Sequence, residues 1–318
     1  AAGGADSLTV RPFTDALGPA TPFARRLARN LQILLMEESH LGKTADPAGG
    51  GFLHETLAAR LAEAGWAVFQ EIERRGGLFE TLKSGWLQGE IGKSLGARRQ
   101  ALATGEDALI GVSQYPQLDA KPVETETRAY APPKLDAAVI EPQPFTGKVA
   151  AARSGAQVRV LDLPEPEWTP LTPARLAEPF EALRDRADAF AEQAGGRPKA
   201  FLATLGPLAD FNARATFAAN RLAVAGVEAI SPEVHEDVEA CAESFAASGA
   251  RLAVICGTDE AYAEQGEALA KLIKAGGQVE VWIAGKPNGI QAIDHFIHMR
   301  SDALDDGARA LSAVGAQP

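Results

Sequence analysis

The chain has 318 residues, 46% of them hydrophobic, with 31 basic against 42 acidic side chains and a formal charge of −11. This length allows two domains with substantial cores. The acidic balance argues against nucleic acid or an anionic membrane as partner, since no basic run exceeds the pairs Arg25-Arg26, Arg74-Arg75 and Arg98-Arg99.

Cys241 and Cys256 lack CxxC spacing and read as core residues of a reducing compartment. With no apolar run of about 18 residues and no signal-peptide pattern at the Ala-Ala-Gly-Gly start, the expected location is the cytoplasm. A start without Met suggests that upstream sequence has been removed, with Met excision or a chosen start point as alternatives.

Residues 8–13 can form a short strand. From Pro22, the spacing of Phe23, Leu27, Leu31, Leu34 and Leu35 predicts a helix with one side buried. The polar, glycine-rich loop 38–51 follows, and it suits a functional surface or a tight helix connection equally. Leu57, Leu61, Ala64, Val68 and Ile72, widened by Trp66 and Phe69, mark a second helix that stops at Gly76-Gly77. Leu78, Leu82, Trp86 and Ile91 continue at helical spacing despite Gly85, Gly89 and Gly92, so this segment either kinks or fits closely against a neighbour. Such apolar stripes, with no sheet of their own, must be buried against the rest of a larger domain or a partner. The proline-rich stretch 116–144 then reads as an extended linker, and the expected domains are residues 1–112, a linker 113–146, and residues 147–318.

Strands are expected at residues 157–161, 200–205, 227–231, 251–256 and 278–284. Helices are expected at 173–193, 213–225, 232–247 and 259–275, with a last one around 289–298. Strands alternating with helices define an α/β fold: a five-stranded parallel sheet with helices on both faces. In such a fold ligands bind beyond the carboxyl ends of the strands.

Three turns therefore matter. Gly206 to Asn212 follows a strand, and its Asp210 and Asn212 can cap the next helix or bond a ligand. Cys256-Gly257-Thr258-Asp259 follows another, with Asp259 expected as a helix cap, and Lys286 follows the last. No GxGxxG, GK[ST], GxSxG or HExxH pattern occurs. His235, His295 and His298 can be considered as metal ligands, but no HExxH arrangement or paired cysteine supports zinc. His295 and His298, which would share a helix face, read as interface packing, while His40 and His54 take their context from outside the first segment. No catalytic, cofactor-binding or metal-binding residue is assigned.

The segments RPFTDALG, FARRLARNLQILLMEESHLGKTADPAGG and ETLAARLAEAGWAVFQEIERRGG resemble the last part of the substrate-binding barrel of the methylmalonyl-CoA mutase family. FLATLGPLADFNARATFAANRLAVAGVEAI and IDHFIHMRSDAL resemble that family's small (beta) subunit. The resemblance implies a mostly helical remnant of a (β/α)8 barrel followed by a flavodoxin-like domain of the cobalamin-binding type. In the family's catalytic subunit a histidine in DxHxxG ligates cobalt. The matching stretch here places Asn212 after Asp210 where that histidine would stand, and Ala215 in place of the glycine. An amide lacks the imidazole lone pair, and the serine of a second, nucleotide-receiving turn near Cys256-Gly257-Thr258 is missing.

The resemblance thus implies a noncatalytic, stabilising subunit. Its large partner subunit would bind adenosylcobalamin and interconvert methylmalonyl-CoA and succinyl-CoA. The alternatives are a cobalamin-binding module without a histidine ligand and a flavodoxin-like fragment for a small anionic ligand.

Overall fold

A computed structural model describes residues 5–121, 123–126, 145–154, 167–230, 233–287 and 289–316. The chain forms two compact units, one of residues 1–87 and 121–170, the other of residues 88–120 and 171–318.

In the first unit α1 (Pro22–Glu37) starts as its sequence predicts, with the Thr21 side chain accepting from the Ala24 N–H. α2 spans Phe52–Arg74, and Gly76 and Gly77, both at positive φ, separate it from α3 (Leu78–Lys83). A further break at Gly85 (φ 76°) precedes α4 (Trp86–Ala103), which settles the expected kink as an interruption between two helices. α5 is Phe145–Arg153. Residues 8–13 form no strand; the Leu8 carbonyl accepts from Gln32 instead of from a neighbouring strand.

The apolar stripes point outward. Only Ala24 and Ala28 of α1 are buried, whereas Phe23, Leu27, Leu31 and Leu34 are exposed, and α2 has no buried residue along its 23 positions. Among the described residues, the expected burial of one side is therefore not found.

The second unit carries β1 (Lys199–Thr204), β2 (Glu228–Ile230), β3 (Leu252–Cys256), β4 (Glu280–Ala284) and β5 (His295–Ile297) in the order β2-β1-β3-β4-β5. All four pairings are parallel. This is the flavodoxin-like order, with the switch point between β1 and β3.

Side chains alternate across the sheet as strand geometry dictates. Ala200, Leu202, Val254, Trp282 and Ile297 face a core shared with α6 (Glu178–Ala194), α7 (Leu208–Val224) and α11 (Ala303–Ala313). Phe201, Ala203, Ile255, Val281 and Ile283 face the opposite core, beneath α8 (Val238–Ser248) and α10 (Glu267–Ala275). α9 (Asp259–Ala261) leads into α10 through a π-helical turn, Tyr262–Gly266.

Several expectations shift. The expected strand at 157–161 and most of the expected linker lie outside the described residues. The last helix is α11 rather than 289–298, where the chain instead forms a loop and β5. Helical spacing could not reveal a three-residue strand whose identity comes from pairing Ile297 with Ala284. α8 begins later than expected because the Asp237 side chain accepts from the Ala240 N–H.

Residues 88–120 belong with the sheet, across the sequence-based division at residue 112. Leu102 packs with Phe180, Val224 and Ala303, and Arg184 donates to the carbonyls of Gly111 and Val112 at 3.1 and 2.8 Å.

Gly307 lies inside α11 where a Cβ would come 2.9 Å from both Ala225 Cβ and Leu183 Cδ1. In an open helix Gly→Ala stabilises by roughly 0.5–1 kcal/mol, but overpacking a tight core costs about 1–3 kcal/mol. Gly307→Ala is therefore expected to lower the denaturant midpoint of the sheet unit; a raised midpoint would show that the contact yields freely.

Candidate functional site

The carboxyl ends of β1, β3 and β4 form the mouth of the sheet. After β1 the Leu205 N–H donates to the Cys256 carbonyl at 2.9 Å, extending the ladder toward β3 by one residue. Gly206 turns the chain at φ 83°, with the Asp210 carboxylate beside it. Pro207 occupies the N-cap of α7 without a side-chain bond, so Asp210 and Asn212 lie inside the helix, both exposed, and neither is the cap that their composition suggests. Ala215 is buried in the sheet-facing core. Its methyl is core packing and not a wall of the mouth.

At the end of β3, Thr258 caps the following helix by accepting from the Ala261 N–H at 3.2 Å. Asp259, expected as that cap, instead accepts a 2.6 Å bond from Arg214 of α7. A Cβ on Gly257 would meet Leu205 Cβ at 3.0 Å. The two turns flanking the switch point are thus in contact. Tyr262 closes the neighbouring gap between β3 and β4: its hydroxyl accepts from the Gly257 N–H at 3.0 Å and lies 2.9 Å from the Ala284 carbonyl. Burial pushes this phenol up to about 12, so it remains a donor at neutral pH. Lys286, beyond β4, is exposed.

The histidines do not converge. His235 Nδ1 is 3.1 Å from Thr204 Oγ1 at the end of β1, and because the Thr204 hydroxyl donates to the Glu233 carbonyl, the imidazole donates to it. His295 and His298 belong to β5 and the turn after it and share no helix face. His295 Nε2 is 2.7 Å from Asp306, whose other oxygen accepts from Ser301 at 2.6 Å and lies 3.6 Å from Arg221 Nε.

Among the described residues, His295, Asp305 and Asp306 are the one group with the spacing of metal ligands. Asp306 is already engaged on both oxygens, and a cation there would sit beside a guanidinium. The cluster reads instead as a buried tie between β5, α7 and α11.

Sequence reasoning missed Tyr262, Arg214, Leu205 and the Arg221–Asp306 pair. No local motif distinguishes these residues from ordinary helix and strand positions.

The sheet order and the helices on both faces make the second unit a flavodoxin-like α/β domain. The family model described as methylmalonyl-CoA mutase matches residues 1–141. A Streptomyces virginiae protein named methylmalonyl-CoA mutase small subunit is 41% identical over 313 residues, covering 98% of this chain and 45% of that protein. A Mycobacterium bovis protein named probable methylmalonyl-CoA mutase small subunit is 35% identical over 325 residues, covering 99% and 46%. A Propionibacterium freudenreichii protein named methylmalonyl-CoA mutase small subunit is 33% identical over 323 residues, covering 98% and 44%. The chain belongs to the methylmalonyl-CoA mutase family, and it spans a little under half the length of these relatives.

Two predictions come from this geometry. Asp306→Ala leaves Arg221, whose side chain is 9% exposed, without its buried counter-charge; breaking such a pair costs about 3–5 kcal/mol. The denaturant midpoint should fall accordingly, and a loss within about 0.5 kcal/mol, as at an ordinary surface site, would contradict the buried-tie reading.

Burial raises the Cys241 thiol to about 11 and the Cys256 thiol further still. Roughly one Cys241 in a thousand is then thiolate at pH 8. A thiol-reactive chromophore should detect no fast-reacting cysteine in the native chain and two in denaturant. A fast native reaction would show that the thiols are accessible.

Proposed function

We propose that this chain is a noncatalytic part of the small subunit of an adenosylcobalamin-dependent methylmalonyl-CoA mutase. It stabilises a heterodimer whose large subunit holds the cofactor and interconverts methylmalonyl-CoA and succinyl-CoA. The names of relatives that match nearly all of this chain support membership of that subunit class.

The observation that carries the noncatalytic reading is the closed mouth of the sheet. The resemblance to the family implies that a corrinoid on this fold is held by a histidine from the turn after the first strand and by a slot for its nucleotide arm. Here Asn212 offers an amide, a poor cobalt ligand. Leu205 abuts Gly257, and Tyr262 lies against Gly285, where a Cβ would be 3.2 Å from its Cε2. The residues present do not fit the cofactor, and no chemical step is assigned to them.

The supporting role rests on the other unit. α1 and α2 carry Phe23, Leu27, Leu31, Phe52, Leu61 and Trp66 exposed, and Trp66 stacks on Phe69 at 5.1 Å with neither ring buried. Apolar area of this kind is worth about 25 cal/mol per Å² when covered, and continuous patches of it mark surfaces built for protein contact. No helix among the described residues is long and apolar enough to cross a membrane, and the proposed setting is the cytoplasm.

The test is co-expression of the full small subunit with the large subunit, followed by purification and a mutase assay with and without the small subunit. The expected result is a stable complex whose large subunit loses yield or turnover when its partner is omitted. Unchanged assembly and turnover without it would overturn the supporting role.

A further inference from the structure

The helix after β3 departs from α geometry at one place, the π-helical turn Tyr262–Gly266 between α9 and α10. Single π turns inside α-helices cluster at functional positions, because the wider turn redirects a side chain that an α-helix would aim elsewhere. Here the first residue of the turn is Tyr262, 1% exposed, its side chain part of the core under α8 and α10 and its hydroxyl between the ends of β3 and β4.

Three backbone groups converge on its oxygen: the Gly257 N–H at 3.0 Å, the Ala284 carbonyl at 2.9 Å and the Ile255 carbonyl at 3.2 Å. The Arg214 guanidinium lies over the ring, 4.9 Å from its centroid, and is held there by Asp259 at 2.6 Å. Beside the guanidinium, Gly285 leaves the space that any Cβ would take, 3.2 Å from Cε2 and 3.6 Å from Arg214 Nη1. A donor, two carbonyls that share the single hydroxyl proton with Ala284 the nearer, a cation over the ring face and a glycine against its edge make a site for one hydroxylated six-membered ring. It stands at the strand ends where open α/β sheets take ligands.

We propose that this slot is a ring-binding site that the protein fills with its own side chain, Tyr262 acting as a tethered phenol that keeps the mouth of the sheet shut. The slot's polar groups belong to the strands and to Gly257, so they persist when the phenol is removed. Filling by Tyr262 excludes a free planar ligand whatever stands at Asn212.

The inference deepens the reading that this domain holds no cofactor, yet the two fail separately. A supporting subunit could have Tyr262 as plain core, and a self-filled slot could exist in a chain that supports nothing.

The experiment is thermal unfolding of the 318-residue chain and its Tyr262→Ala and Tyr262→Phe variants, each without additive and with equal millimolar phenol or toluene. Tyr262→Ala opens the slot, and phenol should raise its midpoint by about 2–4 °C at ten times the dissociation constant. Toluene, which has the ring without the hydroxyl, should raise it less. The native chain and Tyr262→Phe, with the slot still full, should respond to neither.

If Tyr262→Ala is insoluble, refolding it from denaturant with and without phenol gives the same reading, with soluble recovery expected only in phenol. The proposal is overturned if phenol shifts Tyr262→Ala no more than the native chain. It is also overturned if toluene matches phenol, which would make the space an ordinary apolar cavity, or if phenol does not improve recovery of an insoluble variant.

Discussion

Every pairing in the sheet is parallel, so each central strand must be covered on both faces, and this demand shapes the whole second unit. It makes β1, β3 and β4 apolar at nearly every position. It also recruits α6, α7 and α11 to one face and α8 and α10 to the other. With both faces committed, only the carboxyl edge remains for chemistry. The fold therefore directs attention to a few turns, whose contents decide what the domain can do.

Those turns are occupied by the chain itself. Leu205 meets Gly257 across the switch point, Tyr262 bridges β3 and β4, and Arg214 covers the phenol while bonding Asp259. Each contact satisfies a polar or apolar demand within the chain, one that on our proposal a ligand would otherwise meet. A pocket filled in this way contributes to the stability of the sheet. Retaining a cofactor-type fold while filling its mouth is consistent with a domain kept for its shape and its surfaces. In the first unit the opposite holds, for apolar side chains on α1 and α2 are left exposed among the described residues.

The sheet was largely readable from sequence because runs such as AFLATL, LAVIC and EVWIA are apolar, short and bounded by glycine or a helix start. β5 was not. Three residues cannot establish a period, and the strand is set by long-range bonds: Asp294 accepts from the Val281 N–H at 2.8 Å and from Lys274 at 2.7 Å. The location of the candidate site was legible from the turns after β1, β3 and β4, but its contents were not. Tyr262 reads as one more residue of a helical stripe until the π turn redirects it, and Arg221 meets Asp306 only through the packing of α7 on α11. The helices of the first unit were legible by period. Their exposure was not, since an amphipathic pattern says that a face wants covering and not which chain covers it.

The central claim is that this member of the methylmalonyl-CoA mutase family supports a catalytic partner and holds no corrinoid of its own. Equilibrium dialysis of the purified chain against adenosylcobalamin, read by the absorbance of the corrinoid on each side of the membrane, tests it most directly. The account predicts equal concentrations on both sides at every loading. Saturable uptake approaching one corrinoid per chain, with the absorption bands shifted from those of the free cofactor, would contradict it.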